Sequence, residues 1–307
     1  MSGEMIYNGA SERIAAALHM EMGMLLADRA SIRLHPAISN YSDLAGRGST
    51  VLKIPLFGLD GYDSMAATNA DEVTAVGNTA ITTAAPTITI ARYALARERS
   101  DLYQMTDPGY LNVEALARDG FGGYDMAVTT AIAALASGFS NSVGTSGVDL
   151  SVDDWFSAIF QLEESSVDGQ LLAVLHPVQT ANLQASIRLE GGAIQFVSAT
   201  QEMLQAKGQG FIGQFAGVDI FKSSKVATAN SGADRAGMMV GQGAIGFAAG
   251  SPTAISGLGG FVVPNGTEVM TEFERAAKAG LQSIVSSAFF GVSELQDGKG
   301  VGIITDA

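Results

Sequence analysis

The C-terminal stretch, residues 259–306, constrains the fold most, because it ends in two strands joined by a tight turn. Residues 268–273 alternate apolar and polar side chains, as a half-buried strand does. A run rich in Ala, Val and Ser follows, and a new segment is expected to begin at Gly291. Asp297-Gly298 is a tight-turn pair, and residues 301–305 predict the last strand. Chain ends that pack into a sheet usually close a domain.

Charged residues make up only 16% of the 307 residues, whereas hydrophobic residues make up 47%. A soluble monomer usually carries about 25% charged residues, so this chain is expected to cover much of its surface with partners. Its length allows one large domain or two smaller ones. The net charge of −14 argues against tight binding of nucleic acid, which needs clustered Lys and Arg. The sequence has no cysteine, which excludes disulfides and thiolate metal sites.

No apolar run approaches the roughly 20 residues that span a bilayer. The first residues lack a basic leader and carry Glu4 and Glu12, which is unlike a secretory signal. We therefore expect a protein without a membrane segment, made in the cytoplasm.

The first part of the chain predicts a helix over residues 11–30, with three methionines that could pack in a core or contact a neighbouring chain. Residues 31–50 look extended and irregular. Residues 51–57 predict a strand, and alternating strands return over residues 81–92. A small-residue tip between these arms indicates a long hairpin with little core of its own, which suits a segment lying on another subunit. The alternative is an ordinary surface loop with flanking strands.

The middle of the chain predicts two helices and then a compact α/β region. Residues 94–105 and 113–139 have helical patterns, the second with an irregularity at its glycines. From residue 152 onward the predicted order is: helix 153–164 with Trp155, strand 171–175, helix 178–187, helix 196–206, strand 211–221 and strand 238–247.

Two groups of residues resemble the major capsid proteins of tailed bacteriophages, which have the Hong Kong 97-type fold. The C-terminal group comprises Glu272, Arg275, Gly291, Val292, Leu295, Asp297, Gly300 and Val301. The middle group comprises residues 171–177, Leu183, residues 217–223 and residues 239–242. The order and spacing of elements follow the family from about residue 11 to the C-terminus.

The resemblance implies an α+β, Hong Kong 97-like capsid fold. The implied parts are an N-terminal arm and helix (1–49), an extended hairpin loop (50–92), a peripheral domain with a long spine helix (93–151), an axial domain (152–256) and the rest of the peripheral domain (257–307). The implied function is a major capsid protein that assembles as hexamers and pentamers into an icosahedral head around double-stranded DNA.

The implied partners are copies of the chain itself, a separate scaffolding protein, a portal and decoration proteins, with DNA enclosed but not read by sequence. The implied location is the virion, after assembly in the host cytoplasm. Many members of the family begin with a long charged segment that acts as an internal scaffold, and this sequence shows none. A separate scaffolding protein, or loss of the segment by processing, would therefore be required. Lys53 lies near the hairpin, but no acceptor asparagine or catalytic glutamate for an isopeptide cross-link can be assigned.

Two other functions stay open. The first keeps the fold and makes the chain an encapsulin-like nanocompartment shell protein. The second is a nucleotide-binding α/β enzyme built on Gly208–Gly213, which matches G-x-G-x-x-G but follows a helix and precedes a strand, the reverse of a dinucleotide site.

Other candidate chemistry is sparse. Three histidines (His19, His35 and His176) form no zinc motif. Asp149, Asp153 and Asp154 lack the spacing of a calcium loop. We therefore expect no enzyme activity, and we assign no catalytic, cofactor-binding or metal residues.

Overall fold

The computed structural model describes residues 32–44, 49–56, 84–102, 113–167, 169–189, 196–207, 210–250 and 269–306. The helices in these ranges are α1 (Val113–Ala134), α2 (Val152–Glu164), α3 (Pro177–Leu189) and α4 (Gln201–Lys207). The strands are β1 (Ile38–Asn40), β2 (Val51–Lys53), β3 (Thr87–Thr89), β4 (Ala91–Ser100), β5 (Ser142–Val143), β6 (Leu171–Leu175), β7 (Phe196–Ser198), β8 (Phe211–Phe215), β9 (Val218–Lys222), β10 (Thr228–Ala229), β11 (Asp234–Val240), β12 (Ile245–Gly250), β13 (Val269–Ala276), β14 (Leu281–Glu294) and β15 (Gly300–Asp306). The predicted α+β class is confirmed.

Strand β14 is the centre of a five-stranded sheet. Along one edge it pairs antiparallel with β4. Along the other edge it pairs first with β13 and then with β12, so these two strands lie end to end. Strand β1 adds parallel to the outer side of β12.

An eight-stranded sheet runs in the order β5-β15-β11-β6-β9-β8-β7, with β10 beside β11. Its side chains alternate between two cores, as the period of a strand requires. Leu172 and Val174 face the core that α1 shares with the five-stranded sheet. Ala173 and Leu175 face the core that α2 and α3 cover. Both faces of the sheet are therefore buried.

Helix α2 shows why the local sequence predicts this region well. The side chain of Ser151 accepts a hydrogen bond from the Asp154 backbone N–H, and the Asp154 carboxylate accepts one from the Ser151 N–H, which is a capping box. Trp155, Ala158 and Leu162 then recur at helical spacing and are fully buried. The predicted strands at 171–175 and 301–305 and the predicted helix at 178–187 are also confirmed, as β6, β15 and α3.

The helix predicted over residues 94–105 is wrong. Residues 91–100 form β4, which pairs with β14 along its whole length, for example Leu95 with Ser286. A local pattern with helix-compatible Ala, Arg and Glu cannot reveal a strand partner so far away in the sequence. Tertiary pairing therefore overrides local propensity here.

Strand β14 also corrects the boundary expected at Gly291, because the strand continues through it to Glu294. A side chain at Gly291 would collide with the Thr89 carbonyl at the end of β3. The glycine thus marks a close approach of two backbones inside a strand.

The glycines expected to disturb the long helix do not interrupt it. Helix α1 runs through Gly120, Gly122 and Gly123. A Cβ atom at Gly123 would lie 3.2 Å from the Leu95 side chain, so this glycine lets the helix approach β4 closely. Close packing against the sheet compensates for the low helix propensity of glycine.

Three other predicted elements prove to be divided. Residues 211–221 form β8 and β9, separated by a turn at Ala216 and Gly217, both with positive φ. Residues 238–247 belong to β11 and β12, which lie in different sheets. Residues 196–206 contain β7 before α4. Short connections with glycine or a small turn hide such breaks in an apolar run.

Strands β2 and β3 pair antiparallel and confirm the base of the predicted hairpin. The helix predicted at 11–30 and the tip of the hairpin lie outside the described residues. The domain boundaries stay predictions. Strand β15 lies between β11 and the short edge strand β5, so residues 300–306 are paired on both sides in the eight-stranded sheet.

Candidate assembly surfaces

The far end of the five-stranded sheet projects without a core of its own. We call this part the arm and define it as residues 94–100 and 271–286. Its described side chains are exposed or half-buried. None of them belongs to a cluster of buried hydrophobic side chains among the described residues. The arm is therefore held mainly by the backbone hydrogen bonds of three strands.

Two exposed ion pairs fix the arm. Arg97 donates from Nε and Nη2 to the Asp119 carboxylate, at 2.7 and 3.0 Å. This ion pair joins β4 to α1. This hydrogen bonding lowers the pKa of Asp119 and raises the pKa of Arg97. Arg275 on β13 donates to Asp101, just beyond β4, at 3.0 Å. Exposed pairs contribute little energy, so these contacts chiefly set the orientation of the arm.

Phe290 on β14 anchors the base of the arm in the core. Its ring stacks on Tyr93 with centroids 4.1 Å apart, and the ring of Tyr124 meets it edge-on at 5.7 Å. Such aromatic pairs contribute about 0.5–1.5 kcal/mol beyond the burial of their area. The transition from a packed base to an exposed arm thus occurs within a few residues of Phe290.

The N-terminal described segment, residues 32–40, is fastened to the rest of the subunit by two buried basic side chains. Arg33 donates to the Tyr124 hydroxyl at 3.2 Å and lies over the rings of Tyr124 and Phe247. His35 donates from Nε2 to the Asp219 carboxylate at 2.9 Å.

The tautomer of His35 follows from its neighbours. The Ala37 backbone N–H donates to Nδ1 at 3.1 Å, so Nδ1 is the acceptor and the ring proton sits on Nε2. Lys207 shares the same Asp219 oxygen at 2.5 Å. Burial lowers the pKa of His35, and Lys207 adds to this effect, although Asp219 acts in the opposite direction. The cluster His35–Asp219–Lys207 therefore joins three elements, with the Asp219 carboxylate at its centre and a neutral histidine on one side.

Sequence reasoning assigned no site residues and so missed this cluster. His35 and Asp219 are 184 positions apart, and no spacing rule connects them. The only local signal is a histidine before Pro36, which is not specific.

The base of the predicted hairpin packs on the core through one face. A small apolar cluster with Ala248 contains four side chains of the hairpin base. Leu52, Ile54 and Leu56 come from its first side and Ile88 from its second. Val51 and Lys53 on the other face are exposed. The hairpin base thus combines a packed face with a free face.

The residues weighed for chemistry do not assemble into a site within the described part of the chain. His176 accepts from the Val178 N–H, and burial lowers its pKa. Asp149 accepts from Asn182, and Asp154 belongs to the α2 cap. In the described ranges, no group of three His, Asp or Glu side chains is placed to hold a metal ion.

The elements around residues 208–213 have the order that the sequence predicted: the helix α4 precedes these residues and the strand β8 begins within them. A dinucleotide site needs a strand before the glycines and a helix after them. Gly208 lies outside the described residues, and Gly210 packs near the Lys222 carbonyl and the Phe221 ring.

Comparison with known proteins identifies the fold. The capsid structure of the cyanophage P-SCSP1u superposes with a TM-score of 0.59, covering 90% of this chain and 88% of that chain at 14% identity. The capsid of Ralstonia phage GP4 gives a TM-score of 0.60, covering 91% and 90% at 11% identity. The chain has the fold of phage capsid proteins.

The chain is also similar to an encapsulin complex from Synechococcus elongatus, with a TM-score of 0.52 at 12% identity. The match covers 84% of this chain and 82% of that chain. The amino-acid sequence matches no protein-family model and no curated protein. At such low identity the likeness lies in the backbone and the order of elements. None of the helices in the described ranges has the length and apolar character needed to cross a lipid bilayer.

Proposed function

We propose that this chain is a structural major capsid protein that assembles as hexamers and pentamers into an icosahedral phage head around double-stranded DNA. The observation that carries the proposal is the likeness to phage capsid subunits over about nine-tenths of both chains. The role is assembly, with no enzyme activity, cofactor or metal.

The proposed subunit has the Hong Kong 97-type organisation. It comprises an N-terminal arm and helix (1–49), an extended hairpin loop (50–92), a peripheral part with the spine helix (93–151), an axial domain (152–256) and a second peripheral part (257–307). The paired strands β2 and β3 support the hairpin loop, and the uninterrupted α1 supports the spine helix.

The charge of the chain supports the proposed content of the shell. A net charge of −14 gives little attraction to DNA, and a wall that held DNA tightly would hinder packaging and release. Like charges on neighbouring subunits repel, so assembly should depend on salt or divalent cations. The proposed partners are further copies, a separate scaffolding protein, a portal and decoration proteins, and the proposed location is the virion after assembly in the host cytoplasm.

Negative-stain electron microscopy of the purified chain, combined with light scattering, tests the proposal. Closed shells, tubes, hexamers or pentamers are the expected result. A stable monomer or dimer at high concentration and across a range of ionic strength, both alone and when co-expressed with the scaffolding protein, would contradict it.

The likeness to an encapsulin favours a second candidate, a nanocompartment shell that stores a cargo protein. Such a shell would close without a scaffold and would be small and uniform in diameter. Shells purified from the native source separate the two candidates, because a phage head would contain DNA and a nanocompartment would contain a cargo protein.

A further inference from the structure

The outer face of α2 carries two aromatic side chains that the described residues leave substantially exposed. Phe156 is 45% exposed and Phe160 is 64% exposed. Asp153, Glu163 and Glu164 are exposed on the same side of the helix. At about 100° per residue these five positions fall within roughly a third of the helix circumference. We call them the α2 face, an apolar centre with acidic ends.

The α2 face lies at one end of the eight-stranded sheet. The ring of Phe156 is 6.1 Å from the ring of Phe215 at the end of β8. Phe215 pairs with Val218, the first residue of β9, and Val218 pairs with Leu171, the first residue of β6. Phe156 therefore lies near the amino-terminal ends of β6 and β9, while the buried side of α2 packs over the face of the sheet.

A basic surface lies at the opposite end of the same strands. Lys222 is the last residue of β9 and pairs with Leu175, the last residue of β6. Lys225 follows in the next turn, where the Ser223 N–H donates to the Leu175 carbonyl at 2.9 Å. Val178, at the start of α3, is exposed beside it. We call Val178, Lys222 and Lys225 the basic end.

The two surfaces complement each other in charge, and among the described residues they do not pair with each other. In the described part of the chain, no ion pair involves Glu163, Glu164, Lys222 or Lys225. The five residues of β9 span about 13 Å, which separates the basic end from the strand ends beside Phe156. One subunit cannot bring them together, but two copies can.

We propose that the α2 face of one subunit docks against the basic end of a second copy of this chain. The inference rests on the proposed shell function and names the contact that joins neighbours. Two different patches meet in such a contact, so it is head-to-tail and can close a ring of subunits. Burial of the two phenyl rings supplies affinity, and the charges select the partner and the register.

Charge reversal tests the pairing directly. The variant Glu163→Lys/Glu164→Lys and the variant Lys222→Glu/Lys225→Glu should each lose at least about nine-tenths of the shells, because like charges then oppose each other. The four-residue combination should regain shells, since the reversed charges attract again. Sedimentation and electron microscopy measure the assembled fraction, and circular dichroism checks that each variant is folded.

A matched control reverses a basic charge elsewhere in the same domain. Arg188→Glu, combined with Glu163→Lys/Glu164→Lys, should not restore assembly. The variant Phe160→Ser, which keeps all charges, should assemble at least about ten-fold less efficiently than the wild type. All of these positions are exposed, so the subunit fold should be unaffected.

The outcomes separate the inference from the proposed function. If the wild type forms no shells or rings, the proposed function fails. If the wild type assembles and the charge reversals assemble equally well, the inference is overturned. The inference is also overturned if Arg188→Glu restores assembly of the α2 variant as well as the lysine reversals do. It is overturned as well if the lysine reversals do not restore assembly and the α2 variants have lost only the binding of a scaffolding protein.

Discussion

The eight-stranded sheet and the arm are both largely antiparallel, but they are stabilised differently. The eight-stranded sheet is covered on both faces, and side chains such as Phe215 and Trp155 are fully buried. The arm has the same ladder of backbone hydrogen bonds without a buried cluster, and its described side chains meet through exposed ion pairs. Paired strands alone are marginal in water, so the arm is suited to gain stability from neighbouring subunits.

The largest expected effect lies in the eight-stranded sheet. Phe215→Ala should lower the free energy of unfolding of the soluble subunit by about 3–5 kcal/mol, because it removes a ring packed against Trp155 and leaves a cavity. Urea unfolding followed by circular dichroism measures the change. Phe160→Ala on the exposed side of α2 is the control and should change stability by no more than about 0.5 kcal/mol. Equal losses in the two variants would show that this domain does not depend on the buried core.

The arm should show a smaller but distinct difference in backbone protection. In soluble subunits, amides of residues 94–100 and 271–286 should exchange hydrogen at least about ten-fold faster than those of β6 and β11, because local opening of the arm exposes little apolar area. In assembled shells the arm should become protected. Hydrogen exchange with mass spectrometry measures both states. Equal protection of the arm and the eight-stranded sheet in the free subunit would show that the arm is as stable as the sheet.

Acid should weaken the attachment of the N-terminal segment. Because burial lowers the pKa of His35 in the folded subunit, the unfolded chain binds a proton more readily once the pH falls below about 6.5. The stability contributed by neutral His35 is therefore present above that pH and is lost as the pH falls through it, by at most about 1.4 kcal/mol per pH unit.

The measurement is the urea midpoint of the wild type and of His35→Gln between pH 8 and pH 5. The slope should be flatter in the variant, and His176 and the carboxylates are common to both chains. Identical slopes would mean that His35 is not the group that titrates.

The smallest effect is expected in the arm. Arg97→Met should shift the unfolding midpoint only slightly, because the pair with Asp119 is exposed to water and ions. Raising the salt concentration to about 1 M should bring the wild type close to the variant, since the charges are then screened. A large, salt-independent loss would show that the arm depends on this pair far more than its exposure indicates.

The strongly periodic elements could be predicted from the sequence. Helices α2 and α3 and strands β6, β13 and β15 follow from caps, turns and alternation of apolar side chains, all of which act between near neighbours. The capsid fold was predicted from the resemblance of the motifs and their order to a known family. The two surfaces proposed to meet between subunits could not be predicted. Their positions depend on how β6 and β9 pair and on where Phe156 and Lys222 lie relative to the ends of these strands.

What the sequence determined by itself was the class of fold, the acidic character and the elements whose stability is local. What only the tertiary structure decided was the fate of residues 91–100, the continuity of β14 through Gly291, and the His35–Asp219–Lys207 cluster. Each of these depends on partners distant in sequence, such as Leu95 and Ser286. A local sequence pattern does not identify a partner that is distant in sequence. Pairing and burial stabilise such residues only once the chain has folded and brought them together.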